Sequence, residues 1–292
     1  MAQASLRIDI DAILANWRAL DALSGTATET GAVVKANSYG LGAARIGRAL
    51  ARAGARKFFV ASAEEGAALR QALGEGPEIF VFSGHMAGDT EMIGDLGLTP
   101  MLNSLDQVTR HFEALPGCPF GVQLDTGMNR LGMESAEWQA VAPIVLGSEP
   151  RLIMSHLACA DTPGDRMNQA QLARFRALRD LFPGVPRSLA NSAGIFLGPD
   201  FHFALARPGI ALYGGQASAL EESRLDPVVT LEVRILQVHT LPKGAPIGYG
   251  ATFTAPRDMR FATVAAGYAD GFLRAAGSTD GKKMSEALKG LT

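Results

Sequence analysis

The apolar residues between Ile8 and Leu23 recur at roughly helical spacing, and after them short apolar runs alternate with longer, alanine-rich and charged stretches of helical pattern. The runs that read as strands are Ala32–Lys35, Phe58–Ala61, Ile79–Phe82, Thr99–Leu102, Phe120–Leu124, Leu152–Ser155, Arg187–Ala190 and Ala204–Arg207. Eight parallel strands with helices between most neighbours predict an α/β fold, a TIM-type (β/α)8 barrel, with a doubly wound open sheet as the alternative. After Gly215 the texture changes. Pro227–Gln237, Ala251–Thr254 and Phe261–Ala266 are β-type runs with no convincing helix between them. The expected division is a barrel over residues 1–220 and a mainly β domain over 221–292. Residues 277–292 are polar with one short helical pattern, which does not read as the end of a β domain, so that domain is expected to be incomplete.

Composition narrows the picture. At 292 residues, 47% hydrophobic and 19% charged, the chain is long enough to bury a large core. A formal net charge of -2 offers no basic surface to nucleic acid or to an anionic membrane, so small molecules or another protein chain are the expected partners. The N-terminus lacks a basic-then-apolar signal pattern and no stretch is long and apolar enough to span a bilayer, which predicts a cytoplasmic location. With only Cys118 and Cys159, a disulfide framework and a multi-cysteine metal site are excluded. Histidines at 85, 111, 156, 202 and 239 show no paired spacing, so no metal is expected. A nucleophile elbow, a Walker loop and a dinucleotide fingerprint after the first strand are also missing.

Chemistry concentrates at the ends of the predicted strands. Ala32-Val33-Val34 runs straight into Lys35 and a glycine-punctuated turn, Ala36-Asn37-Ser38-Tyr39-Gly40-Leu41-Gly42. Its amine either snorkels to water or pairs with a carboxylate, or it is desolvated until partly neutral, the form that makes a Schiff base or abstracts a proton. In a barrel, Lys35 and Tyr39 share one rim with Asp125-Thr126-Gly127-Met128-Asn129-Arg130, Ser155-His156, Asn191-Ser192-Ala193 and Arg207-Pro208-Gly209-Ile210. Taken alone, Asn191-Ser192-Ala193 is a helix cap, Pro208-Gly209 a turn and His156 a hydrogen-bonded structural residue. Arg130 and Arg207 each read equally as the partner of a nearby carboxylate. Loops after strands seven and eight of barrels often hold phosphate, and Ser192 with the Gly209–Ile210 amides fits that place. A phosphate-bearing aldehyde that forms a Schiff base with a lysine opposite is pyridoxal phosphate.

Seven motifs in this order resemble the bacterial alanine racemase family. They are Val33–Gly40, Leu124–Gly132, Ser155–Ala158, Ala190–Ala193, Ala206–Gly214, Gly248–Thr252 and Ala266–Arg274. The resemblance implies a barrel-plus-β-domain homodimer with shared active sites that binds pyridoxal 5'-phosphate and interconverts L- and D-alanine for peptidoglycan. It implies that Lys35 carries the internal aldimine and is the base on one face of the α-carbon. Tyr249, surface aromatic in the plainer reading, becomes the acid/base on the opposite face, contributed by the partner subunit; two faces require two groups. By the same resemblance Tyr39, Ser192, Gly209 and Ile210 bind the phosphate, His156 lies against the cofactor ring and Arg207 hydrogen-bonds the pyridine nitrogen. Arg130 lies near the phenolic oxygen and the substrate carboxylate, and Tyr268 near the substrate entrance.

Two departures stand out. Gln123 occupies the position where many family members have a lysine that becomes carbamylated, so Arg130 is expected to be oriented by the Gln123 amide or by a bound anion. After Phe272-Leu273-Arg274 the family's Ser-Met-Asp segment and a further phosphate-binding tyrosine have no counterpart. A chain of this kind is expected to fold its barrel and bind cofactor with weak or absent racemisation. The alternatives are a non-catalytic pyridoxal-phosphate-binding barrel, an amino-acid decarboxylase on the related fold, which lacks the Tyr249 motif, and a phosphate-binding barrel with no Schiff base.

Overall fold

A computed structural model describes residues 4–177, 184–218 and 225–271; Phe272–Arg274 and the polar stretch 277–292 lie outside the described residues. Ala32–Val33, Lys57–Val60, Glu78–Val81, Thr99–Leu102, Gly121–Gln123, Ile153–Met154 and Arg187–Ser188 form a seven-stranded parallel sheet in chain order. An eighth strand, Leu205–Ala206, pairs in parallel with Glu29–Thr30, the segment that leads into Ala32. On its other side Arg207 N donates to Ala190 O at 2.9 Å and Ala204 N to Arg187 O at 3.0 Å. The ring is therefore closed and the open-sheet alternative is set aside. Gly31 lies in the segment between Glu29–Thr30 and Ala32, where a Cβ would meet Lys57 O and the Phe59 ring at 3.0 Å each, so glycine suits the close packing against Lys57–Val60.

Thr99–Leu102 matches its apolar run, and the other strands end one or two residues before their runs do, the remaining residues leaving the sheet to build loops. Between the strands, serines and aspartates start the helices. Asp9 Oδ1 accepts from Ala12 N at 3.0 Å and starts the helix Ile10–Ser24, so the helical pattern read from Ile8 begins two residues later. Ser62 caps Ala63–Leu73 in the same way, and Ser104 caps Leu105–Ala114. Inside the barrel, Val33, Phe59, Phe80, Met101, Leu152, Met154 and Leu205 form one buried cluster, with the Phe59 ring 4.9 Å from Phe80 and 5.4 Å from Phe82. Tyr39 and Phe82 pack on this cluster from the carboxyl side, so the core is also the floor beneath the strand ends.

Two compact units divide the chain. Asp9–Val228 is one, and the second begins at Val229 and includes the N-terminal strand Ala4–Ile8, which a barrel over 1–220 assigns to the first. Ala4–Ile8 runs antiparallel to Val229–Val233, a pairing across more than two hundred residues that local periodicity does not register. Ile235–Leu241 pairs antiparallel with Met259–Val264, and Pro246–Ile247 with Phe253–Thr254, so the second unit is mainly β.

Phe59→Ala removes a fully buried ring from the centre of the barrel stack. Its expected cost is about 3–5 kcal/mol, read as a lower urea midpoint for the barrel unit by circular dichroism.

Candidate active site

The site begins with the first barrel strand. Val33 and Val34 are buried, and Val34 N donates to Phe59 O at 2.9 Å, so the following side chain leaves the sheet at its carboxyl edge. That residue is Lys35. The chain then turns left-handed: Ala36, Asn37, Ser38 and Tyr39 have φ of 51°, 53°, 55° and 55°. Left-handed backbone costs roughly 1–2 kcal/mol for each residue with a Cβ, so four in succession must be held by their surroundings. Ser38 N bonds Val34 O at 2.8 Å, Gly40 N bonds Ala36 O at 2.8 Å, and Asn37 Oδ1 accepts from Ala43 N at 2.8 Å. The Ala36 amide, which has no acceptor within the turn, donates to Glu65 Oε1 at 2.8 Å. Burial lowers the Lys35 pKa, the Arg130 cation pushes the same way, and the Glu65 carboxylate opposes them. Lys35 Nζ lies 5.9 Å from the centre of the Phe82 ring.

Lys35 lines a cavity of about 420 Å3 together with Tyr39, His156, Ser192, Arg207, Gly209 and Ile210. Closure of the barrel thus brings the strand-end lysine and the late-loop motifs together. Tyr39 is half-buried and its hydroxyl pKa is raised by that burial, so the hydroxyl is a donor at neutral pH. Its ring packs on Tyr213 at 4.9 Å, and Tyr213 Oη donates to Val33 O at 3.0 Å. A Cβ at position 209 would collide with the Tyr39 hydroxyl, so only glycine brings the backbone this close. Ser192 Oγ accepts from Gly209 N at 2.8 Å and Ala211 N at 3.2 Å, which leaves its own proton to donate. Asn191 caps the turn that starts at Ser192, with Gly194 N on its Oδ1 at 2.8 Å. The cap and the ligand-facing hydroxyl are thus two roles of adjacent residues.

Arg207 is 2% exposed. Its Nη2 donates to Ser155 O at 2.7 Å, its Nη1 bonds Ser188 Oγ, and its Nε has no hydrogen-bond partner. Burial pushes the guanidinium down to about 9, which still leaves it charged at neutral pH. His156 Nδ1 stands 3.5 Å from Arg207 Nη2; because guanidinium can only donate, the neutral ring carries its proton on Nε2. Burial and the neighbouring cations Arg207, Arg130 and Lys35 push His156 down to about 3.

Several supporting residues carry no motif in the sequence. Gln171, fully buried on the helix Arg166–Ala177, accepts from Ala158 N at 2.9 Å and donates to His156 O at 2.8 Å and to Thr126 Oγ1 at 3.2 Å. Thr126 Oγ1 in turn bonds Ser155 Oγ at 2.7 Å. Glu65 was readable only as the fourth residue of a Ser-x-x-Glu helix start.

Other expected residues fall outside the cavity wall. Arg130 is exposed in the loop after Gly121–Gln123 and acts on Lys35 and His156 through its charge. Gln123 Nε2 donates to Leu131 O at 2.9 Å, so its amide holds that loop and does not orient the Arg130 guanidinium. Tyr249 is 101% exposed, in the turn Tyr249–Ala251 of the second unit, and Tyr268 in the same unit is 71% exposed. Among the described residues there is no cluster of His, Cys, Asp and Glu able to hold a metal, and no helix long and apolar enough to cross a membrane.

Residues 8–217 match the family model of the alanine racemase N-terminal domain, and residues 228–288 that of the C-terminal domain. The chain belongs to the alanine racemase family. It is 61% identical over 274 residues to the alanine racemase of Cereibacter sphaeroides, which spans 94% of this chain and 77% of that protein. Among solved structures it is similar to alanine racemase from Bartonella henselae with covalently bound pyridoxal phosphate, at 40% identity and a TM-score of 0.85, covering 94% of this chain and 78% of that one. The biosynthetic alanine racemase from Pseudomonas aeruginosa aligns with a TM-score of 0.86 at 35% identity, with the same coverage of both chains. The alanine racemase C-terminal model continues past the last motif quoted from the sequence, which ends at Arg274.

The depressed His156 fixes a sign for acid behaviour in this chain. A histidine that binds its proton at about 3 when folded and near 6.5 when unfolded stabilises the fold at neutral pH; that contribution is lost as pH falls from about 6.5 towards 3. His156→Asn is therefore expected to flatten part of the fall in thermal midpoint between pH 7 and pH 4, relative to the parent chain.

Proposed function

We propose that this chain racemises alanine with pyridoxal 5'-phosphate held in the Lys35 cavity, on a site completed by a second copy of the chain. The observation that carries the reading is the unpartnered, buried Nε of Arg207, a residue that lines the same cavity as a desolvated lysine amine. An acceptor such as a pyridine nitrogen satisfies that donor, whereas leaving it unpaired costs the full desolvation of the group. The same lining fits an anionic group. Tyr39 and Ser192 offer hydroxyl protons, Gly209 admits close approach, and Ile210 opens the turn Ile210–Tyr213, so its N–H has no partner within that turn. Lys35, Tyr39, Ser192, Gly209 and Ile210 would hold the cofactor, with His156 against its ring. When bound, pyridoxal phosphate supplies an electron sink that acidifies the α-hydrogen of an attached amino acid.

The residues of this chain then divide the proton work. Lys35 Nζ, lowered in basicity by burial and by Arg130, takes or returns a proton on one face of the α-carbon. Tyr249 Oη serves the opposite face, from another copy; its full exposure leaves it accessible to one. Arg207 stays charged at neutral pH and donates a hydrogen bond without surrendering its proton, which limits electron withdrawal and favours return of the proton to the α-carbon. Arg130 pairs with the substrate carboxylate, and Tyr268 lies at the substrate entrance. The second unit leaves Leu6 at 51%, Ile235 at 58% and Leu236 at 56% exposed, apolar area that a homodimer would cover. We place this activity in the cytoplasm, supplying D-alanine for peptidoglycan.

Incubation with pyridoxal phosphate, borohydride reduction and peptide mapping is expected to mark Lys35, and Lys35→Ala to lose the mark. Tyr249→Phe keeps the mark but lowers alanine racemisation by roughly 10²-fold or more in a chiral assay. A wild-type chain that is marked on Lys35 yet leaves L-alanine unchanged is a cofactor-binding barrel and not a racemase.

A further inference from the structure

Glu65 lies outside the wall of the cavity, at the third position of the helix Ala63–Leu73, and both of its carboxylate oxygens are committed. Oε1 accepts from Ala36 N at 2.8 Å and Oε2 from Ala61 N at 2.8 Å. Ala36 directly follows Lys35 and is the first residue of the left-handed turn; Ala61 directly follows the neighbouring strand Lys57–Val60. One charged side chain therefore ties the exits of two adjacent strands. Ordinary helix capping does not ask for this. A Ser-x-x-Glu start turns its glutamate back to the amide of the cap residue itself, here Ser62. Glu65 instead reaches the residue before the cap and an amide in the left-handed turn, 29 positions away.

The turn has hydrogen bonds of its own, from Ser38 N to Val34 O and from Gly40 N to Ala36 O, but none of them reaches its first amide. Four consecutive residues with Cβ atoms sit in left-handed backbone, and the first amide of the run is satisfied only by Glu65. We propose that Glu65 is a positioning residue for Lys35: its carboxylate bridge from Ala36 to Ala61 holds the left-handed turn and so sets the direction in which the lysine side chain enters the cavity. This rests on the reading of Lys35 as the cofactor lysine. Glu65 acts on the lysine in a second way, since its negative charge favours the ammonium form against burial and against Arg130, while His156 beside them stays neutral and Arg207 stays charged. The two effects have separate signatures.

The test compares the full wild-type chain with Glu65→Gln and Glu65→Asp by two measurements across pH. The first is acetylation of Lys35 by a pulse of acetic anhydride, mapped by mass spectrometry, with Lys57 as internal control. The second is attachment of pyridoxal phosphate, in which the lysine amine and the aldehyde carbon join as C=N with loss of water and borohydride hydride reduces the bond to a stable amine. In Glu65→Gln the Lys35 acetylation profile is expected to move to lower pH, because the carboxylate that stabilised its charge is gone. At high pH, where both amines are neutral, acetylation should match the wild type while attachment is slowed roughly tenfold or more, since only attachment needs the correct direction. Glu65→Asp keeps the charge but not the reach, so its profile stays near that of the wild type while attachment slows; should Glu65→Gln not fold, this variant carries the test. Attachment to Glu65→Gln or Glu65→Asp at the wild-type rate at high pH overturns the positioning role and leaves the reading of Lys35 standing. A wild-type chain that takes no cofactor on Lys35 removes that reading, and this inference with it.

Discussion

The seam between the last barrel strand and the first is the constraint on which the site depends. Gly31 N donates to Ala206 O at 3.0 Å and Val33 N to Pro208 O at 2.9 Å, so Leu205–Ala206 lies directly against the strand that ends in Lys35. Those bonds place Arg207, Gly209 and Ile210 across from a lysine more than 170 positions earlier. On the other side of the same strand, a Cβ at residue 31 would press on Lys57 O and the Phe59 ring, 3.0 Å from each. Tyr213 reinforces it from outside the ladder through its bond to Val33 O. Core packing and site geometry are therefore one problem: the Phe59, Phe80 and Phe82 stack that fills the barrel is also the surface beneath the Lys35 side chain.

The cavity lining gathers the cations Lys35 and Arg207 with a single carboxylate, Asp161. Lys35 and Arg207 are both depressed by burial, Arg130 adds its charge from the loop, and His156 responds by staying neutral. Burying two cations near one another is unfavourable unless an anion or a set of acceptors joins them. The Ser155 carbonyl and the Ser188 hydroxyl satisfy two of the Arg207 nitrogens, and the third, Nε, has no hydrogen-bond partner. Hydroxyls, a glycine and a turn-opening amide share the lining with the lysine. The pyridoxal phosphate proposed for this cavity would bring an anionic group and one further acceptor.

Beneath this wall lies a buried polar network that local pattern does not reveal. Gln171 reads as an ordinary polar residue on an amphipathic helix, yet it holds the peptides on either side of Leu157, directly after His156, and the Thr126 hydroxyl. Ser155 and Ser188 read as strand residues, yet their oxygens orient the Arg207 guanidinium. Glu65 reads as a helix-start residue and turns out to grip the lysine turn. Each meets at least one partner on a different strand, helix or loop. Periodicity reports which face of an element is buried; it carries no information about which polar group of a distant element waits there.

Lys35, Tyr39, His156, Ser192, Arg207, Gly209 and Ile210 were legible in the amino-acid sequence because each directly follows, or lies within a few residues of, an apolar run, and strand ends of parallel α/β folds converge on one edge. The alternation of runs likewise determined the barrel and the change to a β-rich second region. Tertiary structure alone decided that the ring closes at Gly31, that Ala4–Ile8 belongs with the second unit, and that the lysine turn is left-handed. It alone decided that Gln123 serves Leu131 and not Arg130. The reason is one of range: burial pattern and turn chemistry are written over a few neighbouring residues, whereas a hydrogen-bond partner, a steric limit on a Cβ or the charge felt by an amine depends on groups that meet only when the chain has folded.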